Sequence, residues 1–183
     1  MNSHRPLPDP LRSDEVASIL ALHKLRLEQP GPEGRKAKFF QVFVDGYDFS
    51  GLSLEGVDFH DVVFRRCRFR NANLTGSSLR GQFLDCDFTG GNLTKIEVSR
   101  SDFRGSSFLG SILTRASFYD SNLTGVDFRD ARLVGAVIEN SRVADADLTG
   151  SMQIDFSFDG NEGTASGVAP IPWNGDAIPD PSA

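Results

Sequence analysis

From Ala37 to Gly150 the chain repeats itself every five residues, as in Cys86-Asp-Phe-Thr-Gly90, Ser101-Asp-Phe-Arg-Gly105, Ser121-Asn-Leu-Thr-Gly125 and Ala146-Asp-Leu-Thr-Gly150. Each block runs from a small residue, often through Asp or Asn, to a central Phe or Leu, then a polar residue, then frequently Gly. A period of five suits neither a helix nor a flat strand, whose side chains repeat every 3.6 and 2.0 residues. It suits a square coil with one block on each side. A repeat at fixed period points to a solenoid before any local propensity is weighed.

If four blocks close one coil, every fourth centre stacks in a column. One column reads Leu54, Leu74, Leu93, Leu113, Leu133. A second reads Phe49, Phe69, Phe88, Phe108, Phe128, then Leu148, and a third Val44, Phe64, Phe83, Phe103, Leu123, Val143. The fourth is mixed: Phe39, Phe59, Leu79, Val98, Phe118, Ile138. Eight of the 23 centres are Leu, and five of them fill one column, which chance gives in about 0.2 per cent of draws. The step from Leu79 to Phe83 is one residue short, yet the columns stay in phase across it. That predicts a tightened corner near Arg80. The small residue two before each centre, such as Ala72, Ser101, Ser121 and Ala146, is expected to point inward with it, where stacked hydroxyls can bond along the column. Eleven central Phe fill the interior, each contributing ~1.5–3 kcal/mol by burial.

These blocks resemble the pentapeptide-repeat family, whose motif is a small residue, Asp or Asn, Leu or Phe, and two variable positions. The resemblance implies an all-β solenoid: a right-handed quadrilateral β-helix of about six coils, capped by an N-terminal α-helix and followed by an extended C-terminal tail. At the strand spacing of 4.7–4.9 Å the coils make a stub about 25 Å long. The expected organisation is an arm over 1–12, a capping helix and lead-in over 13–36, the β-helix over 37–150, a cap strand over 151–158 and a tail over 159–183.

Within 1–12, Pro6, Pro8 and Pro10 favour an extended arm. Ser13 is the expected helix N-cap, with Asp14 and Glu15 in the first turn where the helix dipole favours them. Val16, Ile19, Leu20, His23 and Leu27 share one face, broadened by Leu22 and Leu25. Pro30-Gly31-Pro32 ends the helix. The segments His23-Lys24-Leu25 and Gly34-Arg35-Lys36-Ala37 resemble the lead-in of bacterial and phage-derived family members, in which the helix caps the first coil. His23 reads as a packed cap residue.

The net charge of −6 falls mostly outside the repeat, which holds 15 acidic and 13 basic residues. That is not the footprint of a direct nucleic-acid binder. No apolar run approaches 18 residues, which argues against a membrane partner, and no signal segment opens the chain. The expected location is cytoplasmic, or virion-associated if the chain is phage-encoded. Cys67 and Cys86 fall two before a Phe centre on adjacent coils, so their thiols should lie close together. They read as two small core residues or as a structural disulfide, and two such ligands make a poor zinc site.

Function must then lie outward. Arg65, Arg66, Arg68, Arg70 and Arg80 cluster on early coils, followed by Arg100 and Arg104. They form either a patch for an acidic partner or a solvated face balanced by Asp58, Asp61, Asp85 and Asp87. Thr75, Thr94 and Thr114 form a ladder of β-branched residues on the leucine side. Phe43, Leu84, Leu109, Ile112, Tyr119 and Val134 are scattered outward apolar residues. After Gly150 the period fails, and Met152, Ile154, Phe156 and Phe158 alternate as in a strand that covers the last coil or pairs with a second copy of the chain. The tail carries Ile171, Trp173 and Ile178, an anchor for a partner groove or for the solenoid wall.

The expected function is therefore a non-enzymatic structural or interaction protein. It presents rigid faces and terminal arms to a protein partner or a larger, phage-like assembly, with homo-oligomerisation through the C-terminal end as a further expectation. A second reading, implied by the quinolone-resistance branch of the family, is a DNA mimic that binds a type II topoisomerase such as gyrase. Its marker would be a continuous acidic face. Only three histidines occur, His4, His23 and His60, and solenoid faces lack a deep apolar pocket. No catalytic, cofactor-binding or metal residue is expected.

Overall fold

The computed structural model describes residues 9–28 and 37–169. Helix α1 (Ser13–Glu28) precedes eight short strands: β1 (Lys38–Phe40), β2 (Phe43–Asp45), β3 (Asp58–Arg65), β4 (Ser78–Leu84), β5 (Glu97–Ser99), β6 (Ser117–Tyr119), β7 (Val137–Glu139) and β8 (Ser157–Asp159). All pair in parallel, in the order β1-β3-β4-β5-β6-β7-β8, with β2 beside β3. This is a parallel β-solenoid of about six turns. The mixed column is the most continuous sheet: Phe39 pairs with Phe59, Phe59 with Leu79, Val98 with Phe118 and Phe118 with Ile138.

All four predicted columns are buried. Phe49, Phe69, Phe88, Phe108 and Phe128 stack ring on ring, with centroids 4.6, 4.7, 4.8 and 5.2 Å apart and planes within 11° of parallel. Isolated aromatic pairs prefer offset or edge-on contact. Here the backbone ladder fixes the coil spacing, so the rings stack at that spacing. The edge-on contacts fall between columns, as in Phe108–Phe118 at 86° and Phe118–Phe128 at 83°.

The fifth residue of each block has a physical role beyond being small. The second residue after a centre adopts positive φ, as in Gly51 (69°), Asn71 (55°), Gly90 (66°), Lys95 (58°) and Arg115 (57°). At many corners the centre's carbonyl accepts the N–H three residues on, as in Leu52 to Phe49 O at 3.2 Å and Ala72 to Phe69 O at 3.1 Å. This is a type II turn, which needs a left-handed residue in its third position. Gly suits that position best, and Asp and Asn tolerate it.

The shortened step is a tightened corner. His60 pairs with Arg80 and Val62 with Gly81, so Asp61 has no opposite number. Gly81 has φ 145°, and a Cβ there would lie 2.3 Å from Val62 O.

Hydroxyls do bond along a column, but to backbone. Gly81 N–H donates to Ser101 Oγ (3.1 Å), Ser101 N–H to Ser121 Oγ (3.2 Å), Ser121 N–H to Ser141 Oγ (3.1 Å) and Ser141 N–H to Asn161 Oδ1 (2.9 Å). Each of these hydroxyls also donates to a carbonyl two residues earlier. Ser121→Ala strands the buried Ser101 N–H. It is expected to cost ~1–3 kcal/mol, read from the urea midpoint, whereas a merely volumetric role predicts almost no change.

At the N-terminal end Val16 and His23 are buried against the first coil, and Ala37 N–H donates to His23 Nδ1 at 3.1 Å. The helix-entry expectation needs one correction. The first helical amides donate to Arg12 O, and Arg12 N–H donates to Glu15 Oε2 at 2.7 Å, so Arg12 holds the cap position and not Ser13. This is one half of a capping box. Leu22 points to solvent, and does not widen the packed face.

The C-terminal expectation is also corrected. The solenoid does not stop at Gly150. Arg132 pairs with Met152, Ile138 with Phe158, Arg142 with Glu162 and Asp147 with Ser166. This last coil carries Gln153, Gly163 and Gly167 where Leu133, Val143 and Leu148 stand on the coil below. The alternation of Met152, Ile154, Phe156 and Phe158 therefore belongs to two sides of one coil, not to a single strand.

Candidate interaction surface

Each outward row is set by the ladder, so a side chain meets its counterparts twenty residues away. That geometry pairs the arginine cluster. Arg66 bonds Asp45, Arg68 bonds Asp48 at 3.0 Å, and Arg70 bonds Asp87. Of the carboxylates expected to balance the cluster, Asp87 does so, while Asp45 and Asp48 come from the preceding coil. Arg65 lies over the Phe43 ring, 5.5 Å from its centroid. Further along, Arg104 pairs with Asp102 at 2.7 Å and Arg129 with Asp127 at 2.8 Å. The Ser50 hydroxyl and amide, then Arg68, hold the Asp48 carboxyl down to about 2. The Arg129 guanidinium holds that of Asp127 below the usual range. These pairs are exposed and each stabilises the fold little. Their consequence is for the field: along the row of Asp48, Asp87, Asp127 and Asp147 each carboxylate has a guanidinium beside it, so the negative charge of that row is offset locally.

The leucine side differs. Among the described residues, none of the ion pairs lies on it. Its two outward rows are Ser53, Asn73, Asn92, Ile112, Arg132, Met152 and Glu55, Thr75, Thr94, Thr114, Val134, Ile154. The Thr ladder is present, and two of its hydroxyls donate to the neighbouring Asn, Thr75 to Asn73 Oδ1 and Thr94 to Asn92 Oδ1, both at 2.7 Å. Towards the C-terminal end the face turns apolar: Ile112, Met152 and Ile154 are 40, 48 and 53 % exposed. Ile112 and Tyr119 are exposed as expected, while Phe43, Leu84, Leu109 and Val134 are half-buried. Met152 and Ile154 are the most exposed large apolar residues on this face; a continued count of five past Gly150 would have placed them there. Ile171, Trp173 and Ile178 lie outside the described residues.

Two depressions flank these faces. One, of about 690 Å³, follows the corner lined by Asp61, Gln82, Arg100, Asp120 and Asn140. The other, of about 510 Å³, lies between α1 and the first coil, against Leu20, His23 and Leu52. Among the described residues no group of three or more His, Cys, Asp or Glu is placed to hold a metal ion. Cys67 and Cys86 are buried free thiols. The hydrogen bond that the Cys86 thiol donates to the neighbouring Cys67, with burial, pushes Cys86 up and keeps it protonated. No described helix is long and apolar enough to cross a membrane.

The family model for pentapeptide repeats matches in eight copies, over residues 48–81, 82–118 and 111–150. The chain belongs to the pentapeptide-repeat family. No curated protein matches it in sequence. Among solved structures, trypsin-treated QnrB1, a plasmid-mediated fluoroquinolone resistance protein, superposes with a TM-score of 0.63 at 23 % identity. That match covers 68 % of this chain and 64 % of QnrB1, so this pentapeptide-repeat chain spans less than two-thirds of that relative. A second trypsin-treated form gives a TM-score of 0.63 at 22 % identity, with the same coverage. Rfr23, a pentapeptide-repeat protein from the cyanobacterium Cyanothece 51142, is 18 % identical with a TM-score of 0.34, over 79 % of this chain and 95 % of that one. At these identities the likeness is one of fold.

Proposed function

We propose that this pentapeptide-repeat protein is a non-enzymatic interaction scaffold that presents its leucine face to a protein partner within a larger assembly. The observation that carries this reading is the contrast between faces. Elsewhere many of the outward charges are paired within the chain, whereas the leucine face is flat, carries no ion pair among the described residues and is increasingly apolar towards the C-terminal end. Surfaces of that kind suit protein contact. The paired state of Arg66, Arg68 and Arg70 argues against the basic cluster as the main docking site. The location that fits is the cytoplasm, or a virion if the lead-in reflects phage origin.

The second reading is a DNA mimic acting on a type II topoisomerase such as gyrase, favoured by the fold likeness to QnrB1. The guanidinium beside each carboxylate of the Asp48, Asp87, Asp127 and Asp147 row weighs against it, because a mimic of duplex DNA needs sustained negative potential. One pair of measurements separates the two. Gyrase supercoiling with and without a fluoroquinolone is expected to be unaffected by added protein. A partner recovered by affinity capture with wild type is expected to be lost with Ile112→Asp. Protection of gyrase that survives Ile112→Asp would establish the mimic and reject the scaffold.

A further inference from the structure

Met152 and Ile154 stay largely exposed at the rim of the last described coil. The coils are related by an offset of twenty residues, but the last pairing slips to nineteen: Asp147 pairs with Ser166, Leu148 N–H donates to Ser166 O at 2.8 Å, and Ser166 N–H donates to Ala146 O at 2.9 Å. Were the same offset to continue for one more block, Ile171 would fall beside Met152 and Trp173 beside Ile154.

On the leucine face three backbone bonds join each coil to the next. Leu133 N–H donates to Met152 O (2.8 Å), Gly135 N–H to Ile154 O (2.7 Å), and Met152 N–H returns to Ala131 O (2.8 Å). Moved up one coil, the groups required are the carbonyls of Ile171 and Trp173 and the amide of Ile171. Proline at 170 and 172 removes none of them. In that register Pro172 would fall at the centre position, whose amide donates onward on the coils below, and proline there would end the ladder.

The position of Pro170 is compensated too. At the rung below, Ser151 N–H closes the corner on Leu148 O (3.0 Å). The equivalent residue, Pro170, has no N–H, and Gln153 Nε2 donates instead to the equivalent carbonyl, Gly167 O, at 2.6 Å. Ala169 N–H donates to Gln153 Oε1 at 2.7 Å, so the chain is already beside the leucine column where the described residues end.

We propose that residues 170–173 add one more strand to the leucine face, with Ile171 on Met152, Trp173 on Ile154 and Pro172 as the terminator. The occupant of this rim is the chain's own C-terminal segment, docked by strand addition. The inference is independent of which partner the rest of the face binds.

Trp173 is the only tryptophan in the chain, so its emission reports directly. In the full-length protein the emission is expected to be blue-shifted, and acrylamide quenching several-fold weaker, than in the urea-unfolded chain. Ile154→Asp on the exposed rim should return both to near the unfolded values with the melting curve kept, while Thr75→Asp, at the far end of the same face, should change neither. Amide exchange gives a second readout, with Gln153 and Asp155 N–H protected in wild type. Emission equal to that of the unfolded chain, or unchanged by Ile154→Asp, would overturn the proposal. So would a blue shift that disappears on dilution, which would place the segment on a second copy of the chain.

Discussion

Phe88→Ala is expected to lower the unfolding free energy by ~3–5 kcal/mol. The ring sits mid-column between Phe69 and Phe108, with centroids 4.7 and 4.8 Å away, and is fully buried. Collapse into the cavity is blocked because the backbone on both sides is tied to the ladder: Asp87 N–H donates to Cys67 O at 3.0 Å and Phe88 N–H to Ser107 O at 2.7 Å. A solenoid is stabilised largely by contacts between neighbouring repeats, so loss of one inner layer weakens two interfaces at once. Urea denaturation followed by far-UV circular dichroism measures the loss. A midpoint equal to wild type would mean that Phe88 does not stack in this column.

Gly81→Ala is expected to cost at least ~3 kcal/mol, by a different route. The added Cβ would lie 2.3 Å from Val62 O and 2.7 Å from Val62 N, both backbone atoms held in the β3–β4 ladder. The φ of 145° also lies where side chains other than hydrogen are rarely found. Gly76→Ala is the matched control. It has φ 64° and a new methyl there would meet nothing within 4 Å, so it should cost only the left-handed penalty of ~1–2 kcal/mol. Equal losses at the two positions would show that the corner near Arg80 yields rather than resists.

The columns were legible because a period of five leaves each interior position only one kind of neighbour. Leu54 through Leu133 declared themselves by identity, and Phe49 through Phe128 by bulk. The ion pairs were less legible, because Arg66 and Asp45 are 21 residues apart and only the coil length brings them together. The last coil was hidden for a chemical reason. Gln153, Gly163 and Gly167 occupy centre positions without being apolar, since a rim meets solvent and need not fill an interior. The helix cap was misplaced by one residue because Glu15 reaches back to Arg12, a bond that the better cap former Ser13 conceals. Of the candidate surface, the Thr ladder was visible and its apolar extension was not, since that required counting through the coil whose centres had faded.

The twenty-residue offset that relates the middle coils has a consequence for how such a chain can change size. Excising or duplicating one stretch of that length returns every column to phase, with each new neighbour much like the old. The separation between the helix-capped end and the far rim then changes in steps of one strand spacing, ~4.8 Å, while the faces keep their width. Partners gripping opposite ends would be held as by a gauge block, at a distance counted in whole coils rather than tuned continuously.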